Sequence, residues 1–340
     1  MVETNRQVRL RARPEGIPEA RHFEVTEEPL GPLAEGLFRV RNAFLSVDPA
    51  MRGWVSAMAN YSQPVGIGEV MRSLAVGEVV ESRHPGYAPG ERLMGMFGWQ
   101  HFADAEGRDV VRRVREDDLP LSAQLGVLGL NGATALFALT LVGEPKAGET
   151  VVVSTAAGSV GSAVGQIAKI LGCRAVGIAG GPEKVRLCLE EFGYDAAIDY
   201  KAPSGGDLSA AVAGACPDGV HVYFDSTAGP VSDAVLPHLA VGGRVVVCGT
   251  ASVASWDPPP LGPRVERHLL VKRARMQGFV VLDHFARFDE AATRLAGWVR
   301  EGKLRHREDV LDGIEQGPGA IAGLYRGENL GKRLVRVGPG

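Results

Sequence analysis

The run Thr150-Val151-Val152-Val153-Ser154 shows no polar alternation and leads directly through Thr155 into Ala156-Ala157-Gly158-Ser159-Val160-Gly161. A short strand with an apolar centre is expected where both faces of a sheet are covered, which means a parallel sheet flanked by helices. The next segment, Val160 to Leu171, puts Val160, Val164, Ile167, Ala168 and Leu171 on one helical face, and Gly172 supplies the stop. Strand, glycine turn and helix in that order leave few alternatives to a doubly wound α/β domain. The turn is an A-x-G-x-x-G form of the dinucleotide fingerprint. Gly158 lets the backbone approach a pyrophosphate, and Gly161 lets helix and strand pack closely. The helix start at Ser159 and Val160 offers N–H groups and a partial positive charge to an anion.

The pattern continues in the same sense. Arg174 to Ala179 reads as a second strand, Pro182 opens the following helix and Gly193 ends it. Ala196 to Tyr200, His221 to Asp225, Arg244 to Cys248 and Met276 to Val281 supply further strands. Residues 7 to 120 differ: short alternating runs such as Gln7 to Ala12 and Leu37 to Asn42 are cut by Gly/Pro turns, as in a small β-barrel or sandwich. The C-terminal Gly331 to Val337 alternates again and is expected to rejoin that first region. At 340 residues the chain has room for two domains. The expected fold is α/β: a doubly wound parallel (Rossmann) sheet over 124–304, plus a β-rich GroES-like barrel domain, holding substrate, over 1–123 and 305–340.

Charge and composition narrow the function. Lys and Arg number 37 against 40 Asp and Glu, a net charge of -3, so nothing suggests a nucleic-acid partner. No apolar run reaches the roughly 18 residues a membrane span needs. The first residues lack the basic-then-apolar order of a signal peptide. Cys173, Cys188, Cys216 and Cys248 have neither disulfide nor zinc-knuckle spacing, and a cytoplasmic location is expected. The eight histidines are scattered and no metal site is expected; a G-x-S-x-G elbow is absent.

The choice of dinucleotide falls one strand later. An NAD site usually carries Asp or Glu about 20 residues on, holding the ribose 2′-hydroxyl. This chain has Ala179-Gly180-Gly181-Pro182-Glu183-Lys184. Glycine makes room for a 2′-phosphate and an ammonium attracts it. Lys184, with Tyr200 at the end of the third strand, is the candidate pair, and NADP(H) the expected cofactor.

Several segments then carry a resemblance. They are Leu45 to Gly53, Ala156 to Gly165, Glu183 to Val185, Asp199-Tyr200-Lys201, Val222 to Ser226, Glu301 to Leu304 and Asn329 to Lys332. Together they resemble the medium-chain dehydrogenase/reductase superfamily, and within it the zinc-independent prostaglandin reductase and alkenal double-bond reductase family. That resemblance implies NADPH-dependent reduction of the C=C bond of α,β-unsaturated aldehydes or ketones, in a two-domain subunit that is typically a homodimer. It places Gly158 to Gly161 on the pyrophosphate and Lys184 and Tyr200 on the 2′-phosphate. Ser226 stands where the family usually has asparagine. Cys248, Gly249 and Thr250 through to Ala254 would line the nicotinamide, with Phe279, Val280 and Val281 beside it and Asn329 reaching in. Tyr61 matches a substrate-facing tyrosine and is the candidate donor to the developing enolate oxygen. Two departures stand out: Ala50 replaces tyrosine in the family's Asp-Pro-Tyr-Met-Arg, and Ala254 replaces a tyrosine credited with positioning cofactor or substrate. They keep two rivals open, a quinone reductase on the same scaffold and a non-catalytic NADPH-binding protein.

Overall fold

Two strands open the chain, β1 (Thr4–Leu10) and β2 (Phe23–Pro29), paired antiparallel from Thr4 opposite Pro29 to Leu10 opposite Phe23. The computed structural model describes residues 3–57, 62–202, 207–253, 258 and 260–339. Next come β3 (Phe38–Ser46), α1 (Met51–Trp54), β4 (Ala75–Ser82), β5 (Arg92–Gly95), β6 (Phe102–Ala105) and β7 (Val110–Arg113). β3 is the hub of this region, because its nine residues are long enough to pair with β6 along the first half and with β4 along most of their length. Gly77 is required there: a Cβ would sit 2.1 Å from the Arg41 carbonyl oxygen. Beneath the sheet, Arg112 holds Glu116 through both guanidinium nitrogens at 3.0 and 2.9 Å, and Gln124 closes the triad. Burial alone would raise the Glu116 carboxyl, but the Arg112 hydrogen bonds and charge win and hold it below its ordinary 4.5.

The middle of the chain runs α2 (Leu130–Phe137), β8 (Thr150–Ser154), α3 (Ser159–Ile170), β9 (Arg174–Ala179), α4 (Pro182–Glu190), β10 (Ala196–Asp199) and α5 (Leu208–Ala215). It continues with β11 (Val220–Asp225), α6 (Gly229–Val235), β12 (Leu239–Val247), α7 (Glu266–Lys272), β13 (Arg275–Gly278) and α8 (Phe288–Arg300). The sheet order is β10-β9-β8-β11-β12-β13, with every pair parallel. The chain therefore winds outward from β8 in one direction, then returns to β11 and winds the other way. That reversal is the topological switch point of a dinucleotide fold. Val151, Val152 and Val153 are wholly buried, as their unalternating pattern requires; each contributes up to about 1.5–3 kcal/mol. The expected strand over Met276 to Val281 is shorter than its apolar run. β13 stops at Gly278, the Phe279 N–H makes one further bond to the Val247 carbonyl, and a 3-10 turn begins at Val281. Just past the strand, the Phe279 ring stacks on His284, centroids 5.1 Å apart.

The chain ends with β14 (Glu308–Asp312), α9 (Gly317–Arg326) and β15 (Lys332–Arg336). β14 lies parallel to β15, which pairs antiparallel with the end of β3. Two compact units result, residues 1–126 with 308–340, and residues 127–307. Each has its own core: Phe38, Leu45, Met51 and Trp99 centre the first, and Val152, Ile178, Tyr223 and Val245 the second. Among the described residues no helix is long and apolar enough to cross a membrane.

Candidate functional site

At the end of β8 the chain must turn sharply into α3, and Thr155 takes up positive φ (52°) to do it. The turn is closed by Gly158 N–H donating to the Thr155 carbonyl at 2.8 Å, and Ala156 N–H donating to Ile178 at 3.1 Å ties it to β9. Gly161 passes so close beneath that a Cβ would lie 2.3 Å from the Thr155 oxygen and 2.9 Å from the Ala156 Cα. Behind it, the buried Tyr194 hydroxyl donates to the Gly161 carbonyl at 2.6 Å. The Tyr194 ring fills the space a Cβ on Gly165 would need, 2.1 Å away. No side chain caps the start of α3, so the first-turn N–H groups at Ser159, Val160 and Gly161 have no intrahelical partner. Such a cradle suits a pyrophosphate, and a dinucleotide fits the residues present.

One strand over, Gly180 lies under the Tyr200 ring, where a Cβ would approach to 2.9 Å. Gly181 has φ 95° as the N-cap of α4, a conformation glycine adopts without strain. Asp199 does not face outward as a ribose carboxylate would. Its Oδ1 accepts from Gly181 N–H at 2.8 Å and Lys201 N–H at 2.9 Å. Tyr200 is 46% exposed, Lys184 is half-buried on the first turn of α4, and the Lys201 ammonium stands 5.7 Å from the Tyr200 ring centre. This corner thus presents a tyrosine face and two ammonium groups. Lys201 was legible only as part of the Asp-Tyr-Lys segment.

Across the switch point, Ser226 N–H donates to Ser154 Oγ at 2.8 Å, locking the β11 loop to β8. The β12 loop lies against it: Cys248 and Gly249 N–H donate to the Asp225 carbonyl at 2.7 and 3.1 Å. A Cβ on Gly249 would meet the Ser226 oxygen at 2.9 Å. Thr250 is exposed, while Phe279 and Val281 are buried with the half-buried Val280 between them. Burial, with the Asp225 charge adding to it, pushes the Cys248 thiol up to about 12, disfavouring the thiolate. Residues 158–161, 180–184, 200, 226 and 248–250 thus all lie at the carboxyl ends of neighbouring parallel strands.

The β-rich unit holds the other candidates. Tyr61 and Ala254 lie outside the described residues. Asn329 is half-buried just before β15 and donates to the Gly331 carbonyl at 2.8 Å. Ala50 is the N-cap of α1. The turn that carries it is gripped from below: the buried Lys332 ammonium meets Asp48 Oδ1 at 2.6 Å, Ser46 Oγ at 2.7 Å and the Val47 carbonyl at 3.0 Å. Tyr325 hydroxyl adds a bond to the Pro49 carbonyl at 3.1 Å. Among the described residues no three His, Cys, Asp or Glu side chains gather as a metal site.

Two family models match the chain, one described as the N-terminal domain of oxidoreductase over residues 6–112 and one as zinc-binding dehydrogenase over 159–297. The NADPH-dependent curcumin reductase of Escherichia coli is 41% identical over 98% of this chain and 97% of its own length. The chain belongs to the medium-chain dehydrogenase/reductase family. It falls with that family's prostaglandin and alkenal reductases. The 2-alkenal reductase (NADP(+)-dependent) of Nicotiana tabacum is 36% identical over 98% of both chains. The structure of CurA in complex with NADPH from Vibrio vulnificus superposes with a TM-score of 0.92, at 38% identity over 98% of this chain and 100% of that one.

In this reductase the residues that sequence reasoning missed are the ones that hold others in place. Asp225 sat in a segment singled out for its neighbour Ser226, and Asp48 and Lys332 sat in two segments never brought together. Tyr194 carried no signal beyond its position after Gly193.

Proposed function

We propose that this protein is an NADPH-dependent reductase of the C=C bond of α,β-unsaturated aldehydes or ketones. The observation that carries the reading is the glycine cradle at the switch point, continued by a corner that carries Lys184 and Lys201 and has glycines, not a carboxylate, directly after β9. The named activities of the relatives supply the substrate class. When bound, NADPH supplies a hydride to the electron-poor β-carbon. Gly158 to Gly161 would hold its pyrophosphate, Lys184 and Tyr200 its 2′-phosphate, and Ser226, Cys248 to Thr250, Ala254, Phe279 to Val281 and Asn329 the remainder.

Negative charge then develops on the substrate's carbonyl oxygen and needs a hydrogen-bond donor already in place. Tyr61 is the proposed donor, with water delivering the final proton. Tyr61→Phe is expected to lower kcat with an enone about 100-fold, the usual scale for one such donor; unchanged turnover removes Tyr61 from the mechanism. Lys184→Ala is expected to raise the KM for NADPH at least tenfold while leaving that for NADH nearly unchanged, since only the former carries the phosphate. Equal losses with both cofactors count against the 2′-phosphate assignment.

The direct test is NADPH oxidation against enones, quinones and simple alcohols. Turnover on quinones alone favours the quinone reductase, which the missing tyrosine at Ala254 suits. Tight NADPH binding without turnover favours a non-catalytic protein. A homodimer through the exposed edge strand β13, as part of the proposal, is checked by solution mass. All four cysteines are free thiols, which fits a cytoplasmic setting.

A further inference from the structure

Asp225 closes β11 at the switch point, is 3% exposed, and has no ion-pair partner among the described residues. Its Oδ1 accepts from Thr227 N–H and Ala228 N–H, both at 2.9 Å, and from the Tyr223 and Thr227 hydroxyls, both at 3.1 Å. Its Oδ2 accepts from Ser232 Oγ. A buried charge is costly unless something compensates it. Here the compensation comes from neutral donors alone. Asparagine keeps the shape and an acceptor oxygen at the Oδ1 position while removing the charge, and the Ser232 hydroxyl need only turn to accept from the amide. The charge reaches its surroundings: after burial, it is the second cause raising Cys248, Asp233 and Tyr223 above their ordinary values.

This charge, held by neutral donors and without an ion-pair partner among the described residues, lies under the loop of Ser226, on the side of the switch point away from the glycine cradle. A dinucleotide laid across the switch point places its second half on that side. We infer that the Asp225 carboxylate is the fixed counter-charge for the positive ring of the oxidised cofactor. This rests on the NADP(H) reading above. A fixed negative charge favours the cationic NADP+ over NADPH, whose ring is neutral, so it tilts the bound couple toward giving up hydride. Asp225 acts through space as a positioning charge and does not itself transfer a proton.

The test is calorimetric titration of the purified full chain with NADP+ and with NADPH. Asp225→Asn is expected to raise the ratio Kd(NADP+)/Kd(NADPH) about tenfold, the order for one charge acting over several ångström at a partly screened site. Ser232→Ala, which disturbs the same network and keeps the charge, should leave the ratio within about twofold on the same grounds. Asp225→Ser, neutral and smaller, serves if the asparagine variant does not fold. Equal weakening of both ligands, or an equal shift in Ser232→Ala, reduces Asp225 to a structural turn residue capping α6 and overturns the inference. A wild type that binds neither form overturns the cofactor reading itself, and so the two failures are distinct.

Discussion

Asp48→Ala is expected to destabilise the β-rich unit by about 3–5 kcal/mol, because it strands the Lys332 ammonium in the core without its counter-charge. The side chains of the pair are only 9% and 4% exposed, so water cannot take over. Denaturant unfolding followed by tryptophan fluorescence checks this, since the Trp99 indole N–H donates to the Ser46 carbonyl at 2.9 Å and sits on the same turn. The pH dependence has a definite sign. Burial lowers the Lys332 ammonium below its ordinary 10.5, with the Asp48 charge and hydrogen bond opposing. A lysine depressed on folding binds fewer protons in the native state than in the unfolded one, so stability rises with pH up to the unfolded value. Removing Asp48 removes the larger opposing influence, leaving only the weaker Glu308 charge, and widens that window. The deficit of Asp48→Ala should therefore shrink as pH rises from neutral through 10.5, the ordinary lysine value above which the unfolded chain loses this proton too. A deficit that stays constant over that range would mean that lost packing, not stranded charge, is the cause. The double variant Asp48→Leu, Lys332→Met should recover most of the loss, since a buried pair replaced by apolar groups is commonly close to neutral.

Gly161→Val is the second large effect. The atoms that a Cβ would meet are backbone, the Thr155 carbonyl at 2.3 Å and the Ala156 Cα at 2.9 Å, so no rotamer change relieves the clash. The turn itself must move. A stability loss of about 3 kcal/mol is expected, at the upper end of overpacking, together with loss of calorimetric NADPH binding. Gly297→Ala is the control: it lies within α8 with nothing inside 4 Å of the added carbon. That substitution should stabilise by about 0.5–1 kcal/mol through helix propensity and leave NADPH binding intact. If Gly161→Val binds NADPH normally, the glycine cradle is not the pyrophosphate site.

The α/β class, the strand–turn–helix at 150–170 and the glycines that line it were legible because each rests on local stereochemistry. Side-chain period reports which faces are covered, and a Cβ is either tolerated or not at a given turn. Element ends were less legible, as β13 shows. Its apolar run continues through Val281, but the strand stops at Gly278 and a 3-10 turn begins at Val281, an end that the apolar pattern does not mark.

The chain's own order of residues determined a covered parallel sheet, a cradle able to receive a phosphate, and the absence of a carboxylate at the end of the second strand. Only the tertiary structure decided which charges are answered. Lys332 meets Asp48 across 284 positions of sequence, Asp199 accepts from backbone N–H groups, and Asp225 is buried among neutral donors with no ion-pair partner among the described residues. The physical reason is that period and turn geometry act over a few residues. The partner of a buried charge is set by which distant strands the sheet brings side by side, and by how much water that packing excludes.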